Sequence, residues 1–293
     1  MLDEKAIKLL FFAIVEPTNQ FWISEINSHG VVKVYERLTQ KNYYEKITGY
    51  LKIKEQLASL QISKLQADLL AANSSFITSE DHDWPSQLND LAAPPVGLVI
   101  RGNRKVLQNL NNSISIVGSR KPTNYGLQVA RKLAKDSVAA QLVVVSGGAY
   151  GIDTQAHSAT LEAKGETISV LAGGFNKLYP VENKKLFDRI NQQGLLISEA
   201  MPDTPTAPAL FLIRNRLIAA LSSATVVVEA EYVSGSIRTA RDAAEIFRPV
   251  FAIPGQIDSP LSAGCHRLIA DRVADIATTL AEILQVIRPL QSQ

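Results

Sequence analysis

The chain has almost nothing with which to cross-link itself. Cys265 is the one cysteine in 293 residues, so no intrachain disulfide and no cysteine-based zinc site can form. No apolar stretch approaches the ~20 residues a membrane span requires. The opening MLDEKAIKLLFF is acidic and lacks a signal-peptide cleavage pattern, so the expectation is a soluble, cytoplasmic protein. An excess of either charge is also missing: 30 Lys and Arg stand against 28 Asp and Glu. That balance neither announces nor excludes nucleic acid, because a local basic groove can sit on a neutral chain. Neither G-x-G-x-x-G, G-x-x-x-x-G-K-[ST] nor G-x-S-x-G occurs, which argues against a dinucleotide fold, a Walker-type ATPase and a serine-elbow hydrolase.

Glycine and proline are scarce in one part of the chain only. Gly30, Gly49 and Pro17 are the whole supply in the first 72 residues. Leu, Ile, Lys and Glu recur there at helical spacing, as in KNYYEKITGYLKIKEQLASLQISKLQADLLAA. We read residues 1–72 as a small all-helical domain with a solvated surface, since its 8 acidic and 9 basic residues balance. Residues 73–112 form a transition containing a short strand, Val96 to Arg101, expected at the edge of the following sheet. From residue 113 to 293, apolar runs alternate with helical segments and end in a C-terminal helix. The runs are SISIV, LVVVS, TISVL, LLISE, ATVVVEA and PVFAIP. Uniformly apolar strands between helices indicate a parallel sheet covered on both faces. The expected fold class is α/β: a Rossmann-like, doubly wound, mostly parallel sheet with a small N-terminal all-helical domain.

In such sheets ligands bind beyond the carboxyl ends of the strands. Nearly every strand here ends in glycine or serine just before a helix. The first ends in Gly118, Ser119 and Arg120, and the second in Ser146, Gly147 and Gly148 with Gly151 shortly after. Another ends in Gly173 and Gly174, and a later one leads to Ser234, Gly235 and Ser236. Glycine lets backbone N–H groups approach an anion, and a helix N-terminus adds partial positive charge. Several such ends along one edge suggest an extended anion-binding surface. The block FLIRNR adds Arg214 and Arg216, suited to phosphate by their planar fork, with Phe211 upstream as a platform for an unpaired base.

Taken in order, VGSR…YG, SGGAYGIDTQAH, TISVLAGGFNKLYPVEN, LLISE, RNRLIAALS, VVVEA…SGSIRTA and VFAIPG resemble the core of the DNA-processing protein A (DprA, or Smf) family, from about Ile114 to Ile269. The resemblance implies sequence-independent binding and protection of single-stranded DNA. It also implies loading of the RecA recombinase in natural transformation, a homodimer, and neither catalytic activity nor cofactor. The helical region resembles the family's N-terminal domain, SAM-like or similar, only loosely. By the same resemblance the backbone near Gly118, Gly147 and Gly148, together with Arg120, contacts phosphates. Arg214, Asn215 and Arg216 line the groove and Phe211 stacks a base; Lys184 and Lys185 are further candidates on charge alone. SAGCHRLIADR corresponds to the dimerisation segment, with His266 at the interface and Leu268 and Ile269 as its apolar centre. Two positions depart from the family pattern: Leu212 stands where F-P-x-R-N-R has proline, and Val181 follows Tyr179-Pro180 where relatives often carry a basic residue.

A different class of function is also open. Rossmann-like phosphoribohydrolases acting on nucleoside monophosphates share this sheet, and Glu199 and Glu229 at strand ends could converge as an acid/base pair. The block P-G-G-x-G-T-x-x-E of those enzymes is absent. The competing reading has both carboxylates holding loops through backbone N–H groups, or pairing with Arg214 or Arg238. Asp153 and His157, four apart on one helix face, lack an evident third metal ligand. They read as a first-turn charge and a packed histidine.

Overall fold

The computed structural model describes residues 2–39, 44 and 47–288. The sequence expectations for 40–43, 45–46 and 289–293 lie outside the described residues. Helices α1 (Glu4–Ile14), α2 (Gln20–His29), α3 (Val31–Thr39), α4 (Tyr50–Ser59) and α5 (Ile62–Ala71) come first. Side-chain caps set the starts of the first two. Asp3 accepts the amide of Ala6 at 2.7 Å and Asn19 that of Trp22 at 3.2 Å, satisfying donors that a helix start leaves free.

Two short strands follow, β1 (Ser75–Ile77) and β2 (Leu98–Gly102). The second corresponds to the expected strand, shifted by two residues at its start, but it is paired on both sides, so the edge of the sheet is β1 instead. Gly97 precedes it because a Cβ there would stand 2.3 Å from the Phe76 ring. Then come β3 (Ser113–Gly118), α6 (Asn124–Ala139), β4 (Val143–Ser146), α7 (Ile152–Glu162), β5 (Thr167–Leu171), α8 (Lys184–Gln193), β6 (Leu195–Ser198), α9 (Pro208–Ala220), β7 (Thr225–Val228), α10 (Gly235–Glu245), β8 (Val250–Ala252), α11 (Ala263–Ala270), β9 (Asp275–Ile276) and α12 (Leu280–Ile287).

The strands form one nine-stranded sheet in the order β1-β2-β6-β5-β4-β3-β7-β8-β9. Pairing is parallel from β6 through to β9 and antiparallel at β1–β2 and β2–β6. This is the doubly wound, mostly parallel α/β sheet that the uniformly apolar runs imply. Its central strands are buried end to end, as in the all-buried VVVS of β4 and TISVL of β5.

The helices of the N-terminal region share their core with the sheet. One apolar cluster runs from Phe11, Trp22, Val34 and Leu38 to Val99 of β2, Leu196 of β6 and Phe187 of α8. Ion pairs add to the join: Lys5 meets Asp81 at 2.8 Å, and the buried Lys8 meets Glu80. Two further clusters fill the layers between the sheet and the remaining helices. Cys265 is free and buried, its thiol pushed up to about 11 by burial, which keeps it unreactive. Among the described residues, no helix is long and apolar enough to cross a membrane.

Candidate nucleic-acid interface

Winding around β3 fixes where a ligand can enter. The chain lays β4, β5 and β6 on one side of β3, then returns to place β7, β8 and β9 on the other. Connections from β3 and β7 therefore depart in opposite directions and leave a crevice at their carboxyl ends. A cleft of about 760 Å³ occupies it, walled by the loop after β3, the start of α9 and the loop from β7 into α10.

Gly147 and Gly148 of the glycine-rich loop after β4 are buried, and it is Ala149, with Asp153 of α7, that reaches the cleft lining. Asp153, itself buried, turns back from α7 and accepts the amides of Gly147 at 3.1 Å and Ala149 at 3.3 Å. An internal carboxylate thus occupies the position that the glycine pattern suggested for a phosphate. Each glycine there makes room for protein instead. A Cβ on Gly147 would lie 2.0 Å from Nη1 of Arg214, one on Gly148 2.5 Å from the Phe187 ring, and one on Gly151 2.3 Å from the Ser119 carbonyl. Ser146 is fully buried and donates to the Ile116 carbonyl at 2.7 Å. Gly173 and Gly174 pack under residues 201–206; a Cβ on Gly174 would meet the Met201 carbonyl at 2.1 Å. These positions correct the expectation of a continuous anion-binding edge: the strand ends are tight, but most are tight against the chain itself.

Beneath that loop, His157 is fully buried, with Nδ1 2.7 Å from the Thr167 hydroxyl. Thr167 donates its own proton to the Val144 carbonyl, so the ring must donate from Nδ1. Burial, reinforced by the nearby Arg214 charge, pushes the imidazole down to about 3. It is a neutral packed histidine. Among the described residues no group of three His, Cys, Asp or Glu could hold a metal.

Arg214 and Arg216 lie two residues apart on α9, about 200° around the helix, and the structure separates them. Arg214 lines the cleft and donates through Nη1 to the Val170 carbonyl. Burial lowers its guanidinium to about 10, opposed by the charge of Asp153. The same burial raises the Asp153 carboxyl, with Arg214 pulling the other way. Arg216 is absent from the cleft lining and is bonded through both Nη atoms: Nη1 to the Ala93 carbonyl at 2.9 Å, Nη2 to the Pro17 carbonyl at 3.0 Å and to both oxygens of Glu199 at 2.7 and 2.6 Å. Arg216 is therefore a buried strut, which corrects its assignment to the groove. Asn215 lines the cleft and donates to the Gly235 carbonyl at 3.0 Å, tying α9 to the start of α10.

Three groups stay open to a ligand. Arg120 is exposed, holds its guanidinium 5.6 Å from the centroid of Phe211, and has no carboxylate partner among the described residues. Phe211 in turn meets Tyr179 edge-on at 5.4 Å, so a cation and two aromatic rings line the mouth in series. At the opposite wall Ser234 caps α10, and Gly235 is exposed with only Asn215 Nδ2, at 3.8 Å, near the site of a Cβ. Of the strand-end glycines, Gly235 keeps an open face. Ser236 bonds Ser234 at 2.8 Å, Ser119 is buried with its hydroxyl accepting from the Lys121 amide, and Gly118 abuts the Val228 carbonyl. Lys184 is exposed at the start of α8, outside the cleft lining. Sequence reasoning passed over Lys121 and Tyr179, which also line the cleft; the signals were the second cation after Arg120 and the aromatic before Pro180.

The two carboxylates of the hydrolase reading serve separate structural ends. Glu229 accepts the amide of Thr123 at 2.8 Å and its hydroxyl at 2.5 Å, fixing the cap of α6. Glu199 faces Arg216 and the turn between α1 and α2; burial pushes its carboxyl upward, and the bidentate arginine resists that. At α11, Leu268 is 1% exposed and belongs to the core, so it cannot centre an interface. Ile269 packs partly against the same core, and His266 sits half-buried with Nε2 3.2 Å from the Gly255 carbonyl.

Residues 75–288 match the family described as DNA recombination-mediator protein A. The chain belongs to that family. A DNA processing protein DprA of Bacillus subtilis is 41% identical over 186 residues, covering 64% of this chain and 62% of the relative. The matched stretch spans 59% of a Mycobacterium tuberculosis relative and 50% of the Synechocystis protein Smf. The X-ray structure of DNA processing protein A from Streptococcus pneumoniae superposes with a TM-score of 0.82 at 29% identity, covering 97% of each chain. The Helicobacter pylori DNA processing protein A, whose single-stranded DNA binding mode is described as unique, superposes at 0.66 with 30% identity, covering 74% of this chain and 97% of that one. The family match begins at β1 and so includes the whole sheet and cleft.

Proposed function

We propose that this chain binds single-stranded DNA in the cleft at the β3–β7 switch point, without regard to sequence and without catalysis. The observation that carries this reading is the Arg120–Phe211–Tyr179 series facing the open start of α10. Unpaired bases stack on aromatic faces, while cations and helix N-termini hold the backbone. Such contacts carry no base information. Membership of the family and the DNA-binding Helicobacter pylori relative support it. Beyond binding, the reading extends to protection of incoming DNA and loading of a RecA recombinase in natural transformation.

The same reading includes a homodimer formed over the surface beside α11. Tyr232 is 60% exposed and Ile257 95% exposed; Asp271 and, more weakly, Tyr232 raise the Arg267 guanidinium of α11. This surface replaces the core residue Leu268 as the apolar element of the contact.

The test is binding of labelled oligo-dT, its duplex counterpart and AMP across a salt series. Tight single-strand binding that weakens with salt supports the reading, and the log–log slope counts contacts at about −0.7 per phosphate. Binding or cleavage of AMP, with indifference to DNA, overturns it in favour of a nucleotide hydrolase.

A further inference from the structure

Beyond the cleft itself, one buried side chain joins the DNA-facing helix to the N-terminal helices. We propose that Arg216 is a positioning residue, through which docking of the N-terminal helices sets the aim of α9 and hence the affinity of the cleft for single-stranded DNA. The proposal rests on the DNA reading above.

Arg216 gathers three segments far apart in sequence. Its two Nη atoms reach Pro17 between α1 and α2, Ala93 ahead of β2, and Glu199 after β6. Its Nε is buried without a partner, so the side chain is held by those contacts alone. Guanidinium donors point in fixed directions, and a small shift of any one segment costs all of them geometry at once. Five residues earlier on the same helix is Phe211, and two residues earlier is Arg214, both in the cleft lining.

The first turn of α9 is otherwise lightly held. Ala207 offers no side-chain cap, and Leu212 is 54% exposed. Below it, the seam between the N-terminal helices and the sheet contains a small crevice bounded by Phe12, Val15, Pro17, Ile23, Val96 and Glu199. A bonded strut beside an incompletely filled seam transmits position between the two sides. Because coupling of two binding or docking equilibria is reciprocal, DNA in the cleft must in turn steady the α1–α2 turn.

Hydrogen exchange with and without saturating oligo-dT, paired with affinity across a salt series, tests this in the full chain. In the wild type, amides of residues 15–23 should exchange several-fold more slowly when DNA is bound. Arg216→Lys, Glu199→Gln and Ile23→Ala should each weaken dT binding about five-fold, leave the salt slope unchanged because no phosphate contact is lost, and abolish the DNA-dependent protection. Ile23→Ala and Glu199→Gln keep the arginine in place, so the test survives a poorly folding Arg216→Lys. Folded variants that bind dT within two-fold of wild type overturn the proposal, as does wild-type exchange at 15–23 that ignores DNA. A wild type that binds no dT overturns the DNA reading and this proposal together; binding without coupling overturns this proposal alone.

Discussion

The Asp153 carboxylate accepts the backbone amide of Gly147 at 3.1 Å, inside a loop whose glycine pattern resembles a phosphate cradle. Arg214 completes the arrangement, its guanidinium filling the space that a Gly147 side chain would need. Gly147 and Gly148 thus form an internal floor beneath the cleft, which leaves Arg120, Lys121, Phe211 and the start of α10 as its open residues.

Substitutions at two glycines should therefore have opposite characters. Gly147→Ala forces a methyl to within 2.0 Å of Arg214 Nη1, and overpacking of that kind costs roughly 1–3 kcal/mol. Gly235→Ala meets open space and should leave the denaturation midpoint unchanged, while weakening single-strand binding several-fold if, as proposed, the start of α10 takes a phosphate. Thermal melts and dT titrations of the two variants check both halves.

Removing the internal anion should damage the fold before it damages binding. Asp153→Ala orphans the amides of Gly147 and Ala149, at roughly 1–3 kcal/mol for each buried donor left unsatisfied. Urea denaturation should show this loss in the absence of any DNA.

Stability should fall on mild acidification through His157. Its folded-state value of about 3 lies below the ordinary 6.5, so the unfolded chain takes up the proton first. The contribution is complete above pH 6.5 and is lost as pH falls from there toward 3. It amounts to about 2 kcal/mol between pH 7.5 and 5. Denaturation curves of His157→Gln over this window should be flatter than those of the wild type by that amount.

The cleft residues should divide by the kind of contact they make. Arg120→Ala should weaken binding to every sequence alike and reduce the salt slope by about 0.7, one phosphate's worth. Phe211→Ala should cost about 1–3 kcal/mol of affinity with the slope preserved. A loss confined to particular sequences would contradict a backbone-and-stacking mode.

At α11, core and surface should come apart. Leu268→Ala should cost about 2–5 kcal/mol of stability as a large-to-small core change. Tyr232→Asp and Ile257→Asp should fold normally and sediment as monomers; unchanged dimers would refute the proposed contact.

What the chain alone determined was the sheet, because six uniformly apolar β-rich runs have no alternative to burial on both faces; the order in which they pair, and so the cleft at the ends of β3 and β7, came from the tertiary structure. The chain also marked Arg120, Phe211 and the Ser234–Ser236 helix start as candidates, and the structure puts them on the cleft lining; local charge, aromaticity and capping are properties of short segments. Tertiary structure alone decided which glycines face the open cleft and which face the protein. Gly147, Gly174 and Gly235 are indistinguishable as letters; what fills the space beside each comes from Arg214, the 201–206 segment or solvent. It alone sent Arg214 and Arg216 to opposite sides of α9, gave Glu199 and Glu229 separate partners, and put Leu268 in the core. Each of these depends on contacts between residues tens to nearly two hundred positions apart, and local sequence pattern does not encode distances of that kind.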